Sequence, residues 1–322
     1  MHGPRYPSAF RGCAAVNEGL SDLLVQTLAI NSSTLYAGTD GAGILKSLDG
    51  GESWTTANEG LGDPRVQVLL IDPSNPSLLY AGTDGAGVFK SVDWGSRWKA
   101  FNRGLPRGPL ARDVHALAID PETPSTLYAG TFGGAVFKLE DEGIGWVGLD
   151  KGLSGAPVLA LQVDPSSPWI LYAGSFGDGL SRSTDGGNWA PFNEGLTGEL
   201  LQALVIHPQT PSTLYAGSFG DGIFKSSDGG SSWTDVNRGL PGFPIVRALA
   251  IDSSGADLLY AAAGVVFRSS DGGQLWARVG YSWTQKGVSK QPHAWSLALD
   301  PSTPSTLYAG TDRGVFKLIQ NP

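Results

Sequence analysis

Short apolar stretches separated by turn residues recur along the whole chain. In the first copy, VQTLAI (25–30), LYAGT (35–39), GILKS (43–47) and WTTAN (54–58) each have the length and composition of one strand. Segments rich in Pro, Asn and Gly connect them, as is typical of tight turns. No stretch of ten or more residues shows the 3.6-residue period of an amphipathic helix. The pattern predicts an all-β protein built from four-stranded units.

The second strand of each unit contains LYAG or a close variant, which occurs seven times. Its tyrosine recurs every 43 to 48 residues. The seven tyrosines are Tyr36, Tyr80, Tyr128, Tyr172, Tyr215, Tyr260 and Tyr308. Four strands in about 45 residues, repeated around a ring, are typical of a propeller blade. The predicted fold is therefore a seven-bladed β-propeller with four antiparallel strands per blade.

The two ends of the sequence complement each other. The last unit has only three strand patterns, SLALD, LYAGT and GVFKL, whereas CAAVNEGL (13–20) matches WTTANEGL (54–61). We therefore expect the N-terminal strand to complete the last blade and close the ring, which removes open sheet edges. We expect a single domain over 1–322, with 10–20 as the outer strand of blade 7, blades 1–6 over about 23–280 and the inner strands of blade 7 over about 294–319.

Composition excludes several classes of protein. The net charge is −8 and no basic block occurs, so we expect no nucleic-acid partner. No apolar run has the length of a membrane span. The one cysteine, Cys13, excludes an internal disulfide framework and a cysteine-rich zinc site. We expect a monomer with no cofactor and no metal. We also expect an extracellular or periplasmic location, with a signal peptide that is not in this chain.

A second motif follows the third strand in six units and ends in Trp. Its copies are SLDGGESW (47–54), SVDWGSRW (91–98), LEDEGIGW (139–146), STDGGNW (183–189), SSDGGSSW (226–233) and SSDGGQLW (269–276). The motif resembles the Asp-box, S-x-D-G-G-x-x-W, of BNR-repeat propellers, which include sialidase-type, xyloglucanase-type and photosystem-assembly-factor propellers; 91–98 and 139–146 depart from it. Because the short turn offers few oxygen ligands, we interpret its carboxylates as structural. They are Asp49, Asp93, Asp185, Asp228 and Asp271. The resemblance implies that these turns lie opposite the ligand-binding face.

The expected ligand face holds the turns between second and third strands and the crossings between blades. We call it the loop face, and it surrounds the central opening, the default ligand site. Its turns carry Asp40, Asp84 and Asp312 in blades 1, 2 and 7, and Phe132, Phe176, Asp178, Phe219 and Asp221 in blades 3 to 5. The innermost strands add seven ring positions, Gln26, Gln67, His115, Leu159, Gln202, Arg247 and Trp295. Two crossings, 102–113 and 280–293, are longer than the others, and the second adds Trp283.

Three functions remain open at this stage. Aromatic rings beside carboxylates and amides suit sugars, so the first hypothesis is a ligand-binding propeller that recognises a glycan or an extracellular protein partner. Its ligand-binding candidates are Phe132, Phe176, Asp178, Phe219, Asp221, Arg247, Trp283, Trp295, Asp312 and His115. The second is a polysaccharide hydrolase, and the third is a protein assembly scaffold.

The hydrolase hypothesis comes from the TDGAG turns at 39–43 and 83–87. They are similar to the TDxGG turn of xyloglucan-degrading propeller glycosidases, which implies a catalytic role for Asp40 and Asp84. Those enzymes combine two propellers, whereas we expect this chain to form one. A glycosidase needs two carboxyl groups about 5–10 Å apart, and no motif here selects the second. The sialidase alternative lacks the Arg-Ile-Pro motif of that family.

Overall fold

The structure is a computed structural model that describes residues 10–32, 34–140, 144–252, 257–279 and 291–320. These residues form seven separate four-stranded sheets, in which all neighbouring strands pair antiparallel. Within the described ranges the one helical element is a 3-10 turn, η1 (Leu110–Arg112), in the crossing to blade 3. The predicted all-β, seven-bladed β-propeller is confirmed. No helix in the described ranges is long and apolar enough to cross a membrane.

Each blade runs from its innermost to its outermost strand in chain order, except blade 7. Blade 1 contains β2 (Val25–Asn31), β3 (Thr34–Thr39), β4 (Ile44–Ser47) and β5 (Thr55–Thr56), and blade 2 contains β6 (Val66–Ile71), β7 (Leu79–Thr83), β8 (Gly87–Ser91) and β9 (Lys99–Ala100). Blade 3 contains β10 (Val114–Ile119), β11 (Leu127–Thr131), β12 (Val136–Leu139) and β13 (Val147–Gly148). Blade 4 contains β14 (Val158–Val163), β15 (Leu171–Ser175), β16 (Gly179–Ser183) and β17 (Trp189–Pro191).

Blade 5 contains β18 (Leu201–Ile206), β19 (Leu214–Ser218), β20 (Ile223–Ser226) and β21 (Thr234–Asp235), and blade 6 contains β22 (Val246–Ile251), β23 (Leu259–Ala263), β24 (Val265–Ser269) and β25 (Ala277–Arg278). Blade 7 combines β26 (Ala294–Leu299), β27 (Thr306–Thr311) and β28 (Gly314–Gln320) with the N-terminal strand β1 (Phe10–Ala15). Strand β1 pairs with β28, with Cys13 opposite Leu318. This is the ring closure that the sequence predicts.

The innermost strands contact one another in order around the ring, and β26 returns to β2. The hydrophobic core consists of seven clusters, and each lies between two neighbouring blades. The seven repeat tyrosines belong to these clusters and are at most 3% exposed. The blades therefore have no independent cores, and each is stable only against its neighbours.

The glycine of the YAG sequence lets neighbouring blades approach closely. A Cβ on Gly38 would lie 2.6 Å from Thr27 Cγ2 and 2.7 Å from Val66 Cγ1 of the next innermost strand. Five other blades repeat this pairing of Gly with Val or Leu. Blade 6 has Ala262 instead, and the next innermost strand begins with Ala294. Both alanines are buried in one cluster. The larger residue on one side is thus compensated by a smaller one on the other.

Hydrogen bonds between blades run in both directions. The hydroxyl of Tyr36 donates to the carbonyl of Trp94 in the next blade at 3.0 Å. Tyr172, Tyr215 and Tyr308 make the equivalent bond. In the other direction, Trp98 Nε1 donates to the carbonyl of Ala57 in the preceding blade at 2.8 Å. Five further motif tryptophans repeat it: Trp54, Trp146, Trp189, Trp233 and Trp276. Each junction with a motif Trp is therefore bonded at the end of an outer strand, and the junctions of Tyr36, Tyr172, Tyr215 and Tyr308 are also bonded through the tyrosine hydroxyl group.

The motif carboxylates are bonded within their own turns. Asp228 Oδ1 accepts hydrogen bonds from Ser226 Oγ at 2.8 Å and from the Ser232 amide at 2.9 Å. Bonds from Ser232 and Ser226 lower the pKa of Asp228 to about 2. Similar bonds lower the pKa of Asp49 and of Asp185 to about 2. Their acceptor capacity is used by the turn, as expected for structural residues.

The junction between blades 6 and 7 differs from the other six. Its cluster contains no Trp among the described residues, and Cys13 occupies the position that Trp54 has in the first repeat. Burial raises the pKa of the Cys13 thiol to about 12. The hydroxyl of Tyr260 accepts a hydrogen bond from Gln320 Nε2.

We expect Gly217→Ala to lower the free energy of unfolding by roughly 1–3 kcal/mol, because the site is already filled. The new Cβ would lie 2.6 Å from Val246 Cγ1. Val246→Ala removes that methyl group and recreates the Ala262–Ala294 combination of blade 6. Urea unfolding of both single variants and the double variant should therefore give a favourable coupling energy. Strict additivity of the two effects would contradict this account.

Acid should weaken the motif turns. A carboxyl group whose pKa is lower in the folded state stabilises the fold above its unfolded pKa, near 4, and this contribution is lost as the pH falls through the folded value. For Asp228 that folded value is about 2. We expect the free energy of unfolding to drop between about pH 4 and pH 2, and Asp228→Asn to reduce the drop. Ser232→Ala, which keeps the carboxylate but removes a donor, should move the drop to higher pH. An identical pH dependence in all three proteins would show that these bonds do not act on stability.

Candidate functional site

The ring positions share a backbone feature that the sequence does not show. In all seven innermost strands the pairing register shifts after the first residue, which is a β-bulge. The bulged residues are Gln26, Gln67, His115, Leu159, Gln202, Arg247 and Trp295, and all are half-buried. Bulges re-aim a side chain and are frequent next to binding sites. The innermost strands thus place one side chain per blade, at one level, around the central opening.

On the loop face, blade 2 holds an ion-pair cluster centred on Arg65. Its guanidinium lies 3.1 Å from an oxygen of Asp63 and 2.5 Å from an oxygen of Asp84. Hydrogen bonding to Asp63 raises the pKa of Arg65, and Asp84 and Asp40 add to this effect. The Asp84 carboxylate is therefore paired with a cation that it shares with Asp63, whereas Asp40 is exposed. The sequence analysis missed this cluster, although the sequence DPR (63–65) places both charges in one crossing.

Blade 3 connects the Arg65 cluster of blade 2 to the aromatic residues of the loop face. His115 Nε2 lies 2.9 Å from Asp113 Oδ1, and its ring centroid is 5.4 Å from that of Phe132. The Phe132 amide donates to the Asp113 carbonyl at 2.8 Å. Asp113 also forms a backbone bridge to Asp84. These contacts hold Phe132 beside the acids of blade 2.

Four phenylalanines from blades 3 to 5 and the crossing into blade 6 form the aromatic sector. Phe132 and Phe219 are 41% and 38% exposed, and Phe176 meets Phe219 edge to face at 5.9 Å. The fourth, Phe243, is 90% exposed and has a φ of 54°. This left-handed conformation is uncommon for a bulky residue and costs conformational energy. The sequence analysis missed Phe243, and the only signal was an aromatic residue before proline in a crossing.

Three further predicted acids lie on the loop face at fixed turns. Asn193 Nδ2 donates to the carbonyl of Asp178 at 2.8 Å, and Asn237 does the same for Asp221 at 2.9 Å. Each asparagine also accepts from an amide of the third strand, so it holds the turn between the second and third strands of its own blade. Asp312 Oδ1 accepts from the His293 amide at 2.8 Å.

Arg247 and Trp295 are neighbours at the ring positions of blades 6 and 7. The guanidinium carbon lies 3.9 Å from the Trp295 ring centroid, a stacked cation–π contact. Burial lowers the pKa of Arg247. Trp283, the remaining predicted residue, lies outside the described residues.

The long crossing 102–113 borders a cavity of about 510 Å³. Its lining includes Pro106, Leu110, Thr131 and Asp150. A smaller cavity of about 90 Å³ lies beside Ser154 and Asp178. Across the described ranges, no group of three or more His, Cys, Asp or Glu side chains is arranged to hold a metal ion. Both cavities border crossings between blades on the loop face.

Solved structures share this fold at low sequence identity. The GH74 xyloglucanase from Xanthomonas campestris matches with a TM-score of 0.75 and 20% identity, over 94% of this chain and 53% of that one. The extracellular domain of a hybrid two-component system from B. thetaiotaomicron matches with a TM-score of 0.75 and 16% identity, over 98% and 42%. YCF48 bound to D1 peptide matches with a TM-score of 0.70 and 17% identity, over 97% of both chains.

These similarities establish the seven-bladed propeller and nothing finer. The chain spans about half the length of the GH74 enzymes that it matches. No protein-family model matches the sequence, and no curated protein does.

Asp40→Ala and Asp84→Ala should leave the fold intact. Asp40 is exposed and Asp84 forms a partly exposed ion pair, for which the expected cost is about 0–1 kcal/mol. Trp233→Ala is the contrasting variant, because it removes a buried side chain and the bond to Phe192, and it should cost about 3–5 kcal/mol. Thermal unfolding of the three variants measures this difference. A loss in Asp84→Ala as large as in Trp233→Ala would show that the Arg65 cluster is part of the core stability.

Proposed function

We propose that this protein is a binding propeller that recognises a glycan on its loop face. The observation that carries the proposal is the aromatic sector, which draws Phe132, Phe176, Phe219 and Phe243 from successive blades and a crossing, with Phe176 against Phe219. The face of an aromatic ring carries partial negative charge and attracts the C–H groups of a sugar. A series of such rings suits an extended chain of sugar units better than a single small molecule.

Polar groups beside the rings supply the complementary contacts. Asp178 and Asp221 are exposed next to Phe176 and Phe219, and both turns are fixed by asparagine. Carboxylates accept hydrogen bonds from sugar hydroxyl groups. The ring positions add amide, imidazole and guanidinium groups around the opening. Fixed polar groups beside apolar surface are typical of small-molecule sites.

Hydrolysis is not part of this proposal. The resemblance to xyloglucan-degrading enzymes implies Asp40 and Asp84 as catalytic residues, but Asp84 is already paired with Arg65. The carboxylate oxygen in that ion pair is occupied and is not free to contact a substrate. Asp40 alone does not provide the two carboxyl groups that glycoside hydrolysis requires.

A second candidate function is peptide binding on a propeller scaffold. YCF48, described as bound to D1 peptide, matches this chain over 97% of both lengths, which supports a single propeller as a sufficient binding unit. We also propose an extracellular or periplasmic location, which extracellular domains among the structural neighbours support. The binding unit in both proposals is one monomeric domain over residues 1–322.

The glycan proposal is tested with an oligosaccharide array followed by calorimetry on the best ligand. We expect Phe219→Ala and Phe243→Ala each to weaken binding about tenfold, which corresponds to ~1.4 kcal/mol, because each removes a stacking surface. Leu48→Ala is the control, since Leu48 is an exposed apolar residue in a motif turn. Equal weakening by all three variants would contradict a loop-face site. Binding to peptides from a matching library, but to no sugar, would favour the second candidate.

A further inference from the structure

Among the described residues the guanidinium of Arg247 has no carboxylate partner, which is unusual in a protein with a net charge of −8. Within the described part of the chain, its one specific contact is the stack on Trp295 at 3.9 Å. Arg65, by contrast, is held by two carboxylates. A half-buried cation loses hydration, and a nearby anion normally repays that loss. For Arg247 no acidic side chain of the described residues contributes to its electrostatics.

The ring positions on either side of Arg247 each carry a shielded polar atom that has no hydrogen-bond partner among the described residues. Trp295 Nε1 is a donor, and Gln202 Oε1 is an acceptor. Neither has a hydrogen-bond partner among the described residues, although both atoms are shielded from solvent. Buried polar atoms are normally hydrogen-bonded, so each exception needs an explanation. Gln202, Arg247 and Trp295 occupy the same bulge position on three successive innermost strands, β18, β22 and β26.

We propose that Gln202, Arg247 and Trp295 form a subsite for the carboxylate of an acidic sugar, so that the ligand of the loop face is a uronic-acid-containing glycan. This inference rests on the proposed glycan-binding function. The stacked indole keeps the guanidinium plane in place and leaves its N–H groups free to donate to a carboxylate. Trp295 Nε1 is a further donor on this side of the ring, and Gln202 Oε1 accepts from an adjacent sugar hydroxyl group.

The arrangement favours an acidic sugar over a neutral one or a simple anion. A neutral sugar offers hydroxyl groups but leaves the guanidinium without a counter-charge. A simple anion such as sulfate pairs with Arg247 but offers no donor for Gln202 Oε1. A uronic acid carries both a carboxylate and hydroxyl groups on one ring. Its apolar C–H face also suits the neighbouring aromatic sector.

The paired acids of the loop face do not oppose this assignment. The Arg65 cluster belongs to blade 2, which is separated from blades 5 to 7 by blade 1 on one side and by blades 3 and 4 on the other. The Asp312 carboxylate already accepts from the His293 amide. At physiological ionic strength the interaction between exposed charges is screened over about 8 Å. The local charge at Arg247 therefore governs which ligand group is accepted there.

The test compares an oligogalacturonate with the same oligomer after its carboxyl groups have been reduced to primary alcohols. Calorimetry is performed on the wild-type protein and on Arg247→Gln, Arg247→Lys and Trp295→Phe. Arg97→Gln is the matched control, because it removes the same charge from an exposed residue that pairs with Glu59. We expect the wild-type protein to bind the acid form at least about tenfold more tightly than the reduced form. Arg247→Gln should abolish that preference, and Arg97→Gln should retain it.

Arg247→Lys should restore only part of the preference, because an ammonium group does not stack and cannot pair with both carboxylate oxygens. Trp295→Phe, which keeps an aromatic ring but removes the Nε1 donor, should reduce the preference. The comparison of two ligands on the wild-type protein needs no substitution, so it tests the preference for the acid form even where a variant fails to fold.

Each other outcome overturns a specific statement. Equal binding of the acid and reduced oligomers, or binding of neutral glycans alone, overturns the carboxylate subsite and leaves glycan binding intact. Failure to bind any sugar overturns glycan binding itself. Binding of a peptide with a free C-terminal carboxylate, but not of its amidated form or of any sugar, overturns the assignment of the ligand to glycans.

Discussion

The structure depends on how closely each blade approaches the next. The second strand of one blade lies against the first residues of the next innermost strand, at a distance that a side chain on Gly38 would prevent. This contact sets the separation of the innermost strands and therefore the width of the central opening. Because interiors are closely packed, a change of one methyl group at this point needs compensation elsewhere. Ala262 and Ala294 are such a compensated pair.

The two faces of the ring differ in how far their sequences repeat from blade to blade. Tyrosine hydroxyl groups and motif turns bond neighbouring blades on the side opposite the loop face, with the same partners from blade to blade. Their sequence is repeated because each junction needs the same geometry. Loop-face turns also bond the next crossing through backbone atoms, but their side chains change from acidic in blade 2 to aromatic in blades 3 to 5. A rigid repeated scaffold that carries variable loops is a common basis of recognition.

The sequence predicted the fold well because the fold is repeated. Tyr36 and its six equivalents recur at a blade-length spacing, and Cys13 aligns with the outer strand that blade 7 needs. The site was predicted less completely, since its features are not repeated. The Arg65–Asp84 pair joins residues 19 positions apart that meet only in the folded blade. Phe243 occurs in a crossing without an equivalent elsewhere, and its left-handed backbone conformation is not a property that side-chain type predicts. The bulges at the ring positions are shifts in pairing that leave the apolar pattern unchanged.

Blade 7 has a mechanical consequence for the ring. Its sheet is completed by the pairing of β1 with β28, which joins distant parts of the chain. At the junction of this blade with blade 6, the described residues lack a tryptophan bond, and Cys13 lies at that place. Detachment of β1 exposes an edge of β28 and opens the ring between blades 7 and 1. Once open, the molecule is a linear array in which each blade is supported by nearest neighbours alone, and its end blades have only one. The pairing of β1 with β28 therefore keeps the ring closed, and it belongs to the blade that holds Trp295.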